Sequence, residues 1–272
     1  MVPEVIPHHR FRIPIDGAGD YLEAAWWGPG PQRAPTLIFL HEGLGCVDLW
    51  KDFPANVAAI TGWGALAYSR LGYGGSSPCL LPRPLDFMQQ EALVVLPRVI
   101  AQTGIRDYLL IGHSDGGSIA LVHAGEHSNS GLTGVVTMAA HVFCEDLTRQ
   151  SIRAARERYL SGDLKERLAV YHGSNTRCAF KGWSDVWLHP EFASWSIDAL
   201  LPGITVPVLA IQGENDPYGS SLQIDGIVAG AGDAVTVEMI GDCGHAPHHE
   251  KKEVVLPAIV AFVSERLGAP GR

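Results

Sequence analysis

The stretch Tyr108-Leu109-Leu110-Ile111-Gly112-His113-Ser114-Asp115-Gly116-Gly117 changes character at its middle: an apolar run ends at Ile111, and a helix-like run opens at Ser118 and continues to Ala124. Ser114 therefore stands at a strand-to-helix turn. In the pattern Gly-x-Ser-x-Gly the serine takes a strained backbone conformation, and Gly112 and Gly116 carry no Cβ to collide with the tightly turned chain. The helix that follows aims its N-terminal amides at the serine, where a negatively charged oxygen would be stabilised. Capping that helix is the simpler use of such a serine. The flanking glycines and the preceding strand favour a nucleophile.

Outward from this turn the same alternation repeats. Thr36 to Leu40, Ala65 to Tyr68, Gly134 to Met138, Val206 to Ile211 and Ala234 to Ile240 are further short apolar runs, most of them separated by helical spacing such as Asp48 to Ile60 and Asp86 to Ala101. His9 to Ile15 and Tyr21 to Trp27, joined by Asp16-Gly17-Ala18-Gly19, read as an antiparallel hairpin. The expected fold class is α/β: a mostly parallel sheet of about eight strands with helices on both faces. Phe143 to Gly203 holds helical patterns but no good strand, so the chain divides into a core (1–142), a helical cap (143–203) inserted after the sixth strand, and the rest of the core (204–272). A last helix from about Lys251 to Leu267 would turn Val254, Val255, Ile259, Val260, Phe262 and Val263 to the sheet. Gly268 to Arg272 reads as a frayed tail.

With 272 residues, 46% of them hydrophobic, the chain can bury the core of one large domain. A net charge of −9 with scattered basic residues speaks against nucleic acid and anionic membranes as partners. A small-molecule substrate is expected, with a homodimer left open. No basic segment leads into an apolar stretch near the N-terminus and no run is long enough to span a bilayer, which suggests a soluble cytoplasmic protein. Cys46, Cys79, Cys144, Cys178 and Cys243 are odd in number and widely spaced, so reduced thiols are expected. No nucleotide, flavin or metal motif stands out, and no cofactor is expected.

A serine hydroxyl near neutral pH needs a base to take its proton, and the base needs an acid to fix its tautomer. His245, in Gly241-Asp242-Cys243-Gly244-His245-Ala246-Pro247, follows the last strand; Asp216, in Gln212-Gly213-Glu214-Asn215-Asp216-Pro217, follows the one before. Both loops emerge at the carboxyl edge of a parallel sheet, so residues far apart in sequence can meet. His248 and His249 compete as the base. Glu214, Glu145 and Asp146 compete as the acid. After Thr36 to Leu40 comes His41-Glu42-Gly43-Leu44-Gly45, where an oxyanion hole from the amides of Gly43 and Asp115 is the natural expectation. His41 and His113 read as packing and hydrogen-bonding residues, and Glu42 as more often structural than proton-carrying.

In their order and spacing, His41 to Gly45, Ser69-Arg70-Leu71-Gly72-Tyr73-Gly74-Gly75-Ser76, Gly112 to Gly116 and the loops of Asp216 and His245 make essentially the whole chain resemble the α/β-hydrolase-fold serine hydrolases. The resemblance implies an esterase, lactonase, C–C hydrolase or cofactor-free haloperoxidase, one scaffold hosting many reactions. It singles out Ser114, Asp216 and His245 as the triad. The chain departs from the family in one place: Glu42 stands where glycine is commoner. A serine nucleophile argues against haloalkane dehalogenases and epoxide hydrolases, which carry Asp there, and against dienelactone hydrolases, which carry Cys.

Hydrolysis of small carboxylic esters or lactones is the leading expectation. The alternatives are a C–C hydrolase or enol-lactonase of aromatic-compound catabolism, and a non-catalytic small-molecule receptor that retains the triad. Three of seven tryptophans, Trp183, Trp187 and Trp195, lie close together in the cap. Trp183 and Trp187 share a helix face, either as glue between cap and core or as a pocket wall. Arg149, Arg153, Arg156 and Arg158 suggest a solvated face. Arg177 and Lys181 are the better-placed candidates to anchor a substrate carboxylate. Tyr218 either lines the pocket with Glu42 or caps a turn.

Overall fold

The computed structural model describes residues 8–15, 19–126 and 131–267. Most of the expected turn from Asp16 to Gly19, and the tail Gly268 to Arg272, lie outside these residues. Eight strands form one sheet: β1 His8–Pro14, β2 Tyr21–Trp27, β3 Thr36–Leu40, β4 Gly64–Tyr68, β5 Tyr108–His113, β6 Leu132–Met138, β7 Val208–Gly213 and β8 Val235–Ile240. Their order is β1-β2-β4-β3-β5-β6-β7-β8. β2 pairs antiparallel with both its neighbours and every other pairing is parallel.

The central strands read as unbroken apolar runs because both faces of a parallel sheet are covered. Successive side chains alternate between faces. Ile38, Leu66, Leu110 and Ala210 join the core on one side, with Leu96 and Val99 of α3 (Leu96–Thr103), Ile119 of α4 (Asp115–Glu126) and Ile227 of α8 (Leu222–Ala231). Leu37, Ala65, Leu109 and Leu209 join the other side with Phe53 and Val57 of α1 (Phe53–Thr61) and Val255 and Ile259 of α10 (Lys252–Leu267), which follows the single turn α9 (Pro247–Glu250). Each Leu, Ile, Val or Phe side chain among these, taken fully out of water, contributes roughly 1.5–3 kcal/mol.

The helices depart from expectation where proline intervenes. Instead of one helix from Asp86 to Ala101, α2 (Phe87–Gln90) leads into a π turn (Glu91–Val95) and then α3. Pro97 has no N–H to give the preceding turn, and the wider π turn accommodates the missing bond. Similarly, Asp48 to Ile60 is a short 3-10 turn (Val47–Trp50) separated from α1 by Lys51 at φ +52°. β7 begins after Pro207, which cannot donate to a sheet ladder. Val254 is exposed and Val260 half-buried, so α10 turns Val255, Ile259, Phe262 and Val263, but not those two, to the sheet.

Between β6 and β7 the chain forms α5 (Asp146–Ser161), α6 (Leu164–His172) and α7 (Thr176–Trp187), followed by short 3-10 turns. Arg149 donates to the carbonyls of Trp187, Leu188 and His189, capping the end of α7. Among the described residues no helix is long and apolar enough to cross a membrane, and the five cysteines are free thiols.

Candidate active site

β5 delivers Ser114 to the carboxyl edge of the sheet with φ +52°, a left-handed conformation that is uncommon for serine. Three backbone hydrogen bonds hold it there: its N–H donates to the Met138 carbonyl (2.8 Å), and its own carbonyl accepts from the N–H groups of Gly117 (2.8 Å) and Ser118 (3.0 Å) as α4 begins. The turn is so tight that a Cβ on Gly116 would lie 1.9 Å from the Leu40 carbonyl oxygen. Only glycine fits.

The loops after β7 and β8 bring Asp216 and His245 to this serine. Both carboxylate oxygens of Asp216 lie 2.8 Å from Nδ1 of His245, and Nε2 lies 2.9 Å from the Ser114 hydroxyl. A nitrogen facing two carboxylate oxygens must carry the proton, which leaves the Nε2 lone pair facing Ser114. The arrangement can therefore remove the hydroxyl proton. Asp216 also accepts from Gln212 Nε2 and from the Tyr218 N–H, each at 2.8 Å. Burial opposes its ionisation, but the His245 and backbone contacts outweigh it and hold the carboxyl below its ordinary range.

The competitors are engaged elsewhere. Glu145 accepts from Ser220 and Gln223, Glu214 is exposed, and Asp146 opens α5 at the surface. His248 is buried against Trp50 and Phe53, while His249 donates to the Leu49 carbonyl (3.0 Å). Among the described residues no group of three or more His, Cys, Asp or Glu side chains is placed to hold a metal ion.

A cavity of about 110 Å³ opens on Ser114, lined by Glu42, Gly43, Leu44, Asp115, His141, Thr148, Ile152, Trp183, Trp187, Tyr218 and His245. Trp183 and Trp187 join cap to core as well as walling the cavity. Trp187 Nε1 donates to Asp115 Oδ1 (3.1 Å), and a Cβ on Gly43 would lie 2.2 Å from Trp183 Nε1. Trp195 instead stacks on Phe192 away from the cavity. Gly43 and Asp115 are buried residues that line the cavity, and among the described residues neither amide has a hydrogen-bond acceptor, an unusual state for backbone N–H in a buried residue. Tyr218 lies over the His245 ring with centroids 4.7 Å apart.

Arg177 and Lys181 do not line the cavity: Arg177 is exposed on α7, and Lys181 pairs with Asp185 at 3.3 Å. Spaced four apart on a helix, they share one face, and it turns outward. The ordering cation is Arg70, for which the sequence offered a motif but no role. It donates to the carbonyls of His41 (2.7 Å) and Glu42 (3.1 Å) and lies 3.7 Å from Asp115 Oδ2. The Arg70 amide donates to His41 Nε2 and His41 Nδ1 donates to the Glu42 carbonyl, so His41 is a neutral, structural imidazole. Burial, assisted by Arg70, pushes its pKa well below the usual range. His141 is likewise neutral, lowered to about 4 mainly by burial, and donates Nε2–H to the Tyr218 carbonyl. Nothing local in the sequence marks His141, Thr148 or Ile152 as cavity residues.

A sequence profile of the Alpha/beta hydrolase family matches residues 37–258. Among curated proteins, a 2-succinyl-6-hydroxy-2,4-cyclohexadiene-1-carboxylate synthase from Serratia proteamaculans is 28% identical over 128 residues, 47% of this chain and 47% of that one. This chain thus aligns with about half the length of that relative. Among solved structures, a hydrolase from Pseudomonas aeruginosa superposes with a TM-score of 0.74 at 17% identity, covering 96% of this chain and 99% of the other. The enol-lactonase from Burkholderia xenovorans does so with a TM-score of 0.68 at 17% identity, covering 90% and 97%. At such identities the structural likeness speaks to fold alone. The family profile spans most of the sequence, including the strands that carry Ser114, Asp216 and His245, and by it this chain belongs to the alpha/beta hydrolase family.

Proposed function

We propose that the protein is a serine hydrolase of small carboxylic esters or lactones that works through an acyl-enzyme. His245 Nε2 takes the Ser114 proton as Oγ attacks the carbonyl carbon, and the oxyanion is held by the amides of Gly43 and Asp115. His245 returns the proton to the leaving oxygen; a water deprotonated in the same way then releases the acid and frees Ser114. Asp216 stays ionised and orients the imidazole. Residues 143–203 act as the cap that shapes the acyl pocket with Trp183 and Trp187.

The observation that carries this reading is the unbroken hydrogen-bonded chain Ser114–His245–Asp216 opening on a cavity lined by Gly43 and Asp115, whose amides find no acceptor among the described residues. The cavity is small and mainly apolar, and among the described residues no Lys or Arg lines it. A substrate bearing a carboxylate, as C–C hydrolases and enol-lactonases of aromatic catabolism would require, finds no cationic anchor there. Neutral esters with compact acyl groups fit it better. A receptor would bind such molecules without turning them over.

The test is labelling of the purified chain with a fluorophosphonate, located by peptide mass spectrometry, with turnover of p-nitrophenyl acetate and butyrate. Label on Ser114 and turnover abolished by Ser114→Ala are expected. An accessible Ser114 that takes no label would contradict the proposal.

A further inference from the structure

The residue before the serine, His113, makes a second acid–imidazole pair, with Glu42. We propose that His113 is a positioning residue for the base: set at ion-pair distance from Glu42 on one side of its ring, it holds the His245 backbone carbonyl with Nε2 on the other and so fixes where His245 stands over Ser114. The inference rests on the triad proposed above.

The argument starts from hydrogen-bond chemistry. His113 Nε2 lies 2.6 Å from the His245 carbonyl oxygen, which can only accept, so Nε2 carries a proton. Neutral N–H···O bonds centre near 2.9–3.0 Å and charged donors approach closer. His113 Nδ1 lies 3.5 Å from Glu42 Oε2, an ion-pair contact without a hydrogen bond, and no other acceptor among the described residues reaches it. A bare nitrogen there would set its lone pair against an ionised carboxylate, so Nδ1 is protonated too. His113 is an imidazolium held between a carboxylate and a carbonyl.

The surroundings agree. Burial works against charge on His113, but the Glu42 contact outweighs it and raises the imidazole above its usual range. Burial likewise opposes charge on Glu42, and His113 more than compensates, holding the carboxyl far below its own. The other titratable groups facing His113 are His248, with ring centroids 4.7 Å away, His245 at 5.2 Å, and Asp216. Burial and then the His113 charge push His248 well below the usual range, so of this edge-to-face pair only His113 is charged.

This pairing accounts for Glu42 in a loop where the family commonly has glycine. Gly45 supplies the room: a Cβ there would lie 2.3 Å from Glu42 Oε2. It also neutralises a carboxylate that would otherwise repel the oxyanion forming beside Gly43. Position matters because misplacing a catalytic group by about 1 Å can cost on the order of 10²-fold in rate.

The test uses the full chain labelled with 15N-histidine. NMR should find both ring nitrogens of His113 protonated at neutral pH in the wild type, and one in Glu42→Gln. With p-nitrophenyl butyrate, His113→Leu should lose about 10²-fold in kcat with KM little changed. His113→Gln, whose amide reaches the same carbonyl, should recover most of that loss. If His113→Leu does not fold, Glu42→Gln carries the kinetic test with an expected loss of roughly 3- to 10-fold in kcat, because a charged donor becomes a neutral one. A neutral His113 in an active wild type would overturn this inference alone, as would a folded His113→Leu with wild-type kcat or no rescue by Gln. A wild type that neither turns over ester nor takes the fluorophosphonate would overturn the triad and this inference together.

Discussion

Two acid–imidazole pairs flank Ser114, built from the same groups. In one, His245 donates a hydrogen bond from Nδ1–H to Asp216 and keeps the Nε2 lone pair directed at Ser114, 2.9 Å away. In the other, His113 faces Glu42 with Nδ1 and donates Nε2–H to a backbone carbonyl. The first pair has a nitrogen left over and the second has none. An acid beside a histidine therefore does not make a base; a second nitrogen without a structural partner does.

The comparison is broken most directly by removing one acid at a time. Asp216→Asn should lower kcat by about 10⁴-fold, since the wrong tautomer would point its N–H at Ser114, and Ser114→Ala by about 10⁴- to 10⁶-fold. Steady-state kinetics on p-nitrophenyl butyrate would give both. If Glu42→Gln proved as damaging as Asp216→Asn, the two pairs would not differ in the way described.

Next in size is the proposed oxyanion hole. Gly43→Ala would put a methyl group 2.2 Å from Trp183 Nε1, so the loop or the indole must move. The expected loss is about 10²- to 10³-fold in kcat. Adding Trp183→Leu to make room should return part of it.

What ties the two pairs to one frame is Asp115, buried between Trp187 and Arg70, whose guanidinium holds the His41 to Glu42 backbone. Burial raises its pKa, with Arg70 opposing. Asp115→Ala strands the Arg70 charge and should destabilise the fold by about 3–5 kcal/mol in urea denaturation at neutral pH. Asp115→Asn, which keeps the Trp187 bond, should cost less.

The smallest effect is a pH dependence that separates the pairs. Asp216 and Glu42 are depressed, so their contributions are complete above the ordinary carboxylate range and fade as pH falls through the folded values. His113 is raised, so its contribution is complete below the ordinary imidazole range and fades as pH rises through its folded value. The Glu42–His113 pair is therefore strongest between about pH 5 and 6.5. The difference in urea stability between wild type and Glu42→Gln should peak there, on the order of 1 kcal/mol, and shrink on the alkaline side.

Much of this architecture was legible in the chain. Apolar runs of strand length separated by helical spacing indicated a doubly covered sheet, and Gly112 to Gly116 marked the strained turn, because strand period and turn chemistry act over a few residues. The order Ser, Asp, His suggested which side chains to seek at the sheet edge. The breaks in the helices at Lys51 and before Pro97 were less visible, since a helical apolar pattern persists across a short 3-10 or π turn. Arg70, His141 and the outward turn of Arg177 and Lys181 left no signal, because what each touches lies on another element.

The sequence by itself determined the α/β class, the helical insertion after the sixth strand and the strand-to-helix turn at Ser114, all consequences of local periodicity and backbone sterics. Only the tertiary structure decided which nitrogens and oxygens meet. The parallel register of β3, β5, β7 and β8 ends four loops at one edge of the sheet, and there Glu42 reaches His113, Asp216 reaches His245, and Trp183 closes over Gly43. Those contacts join residues far apart in the chain, and their chemistry depends on distances of a few tenths of an ångström that no spacing in the sequence encodes.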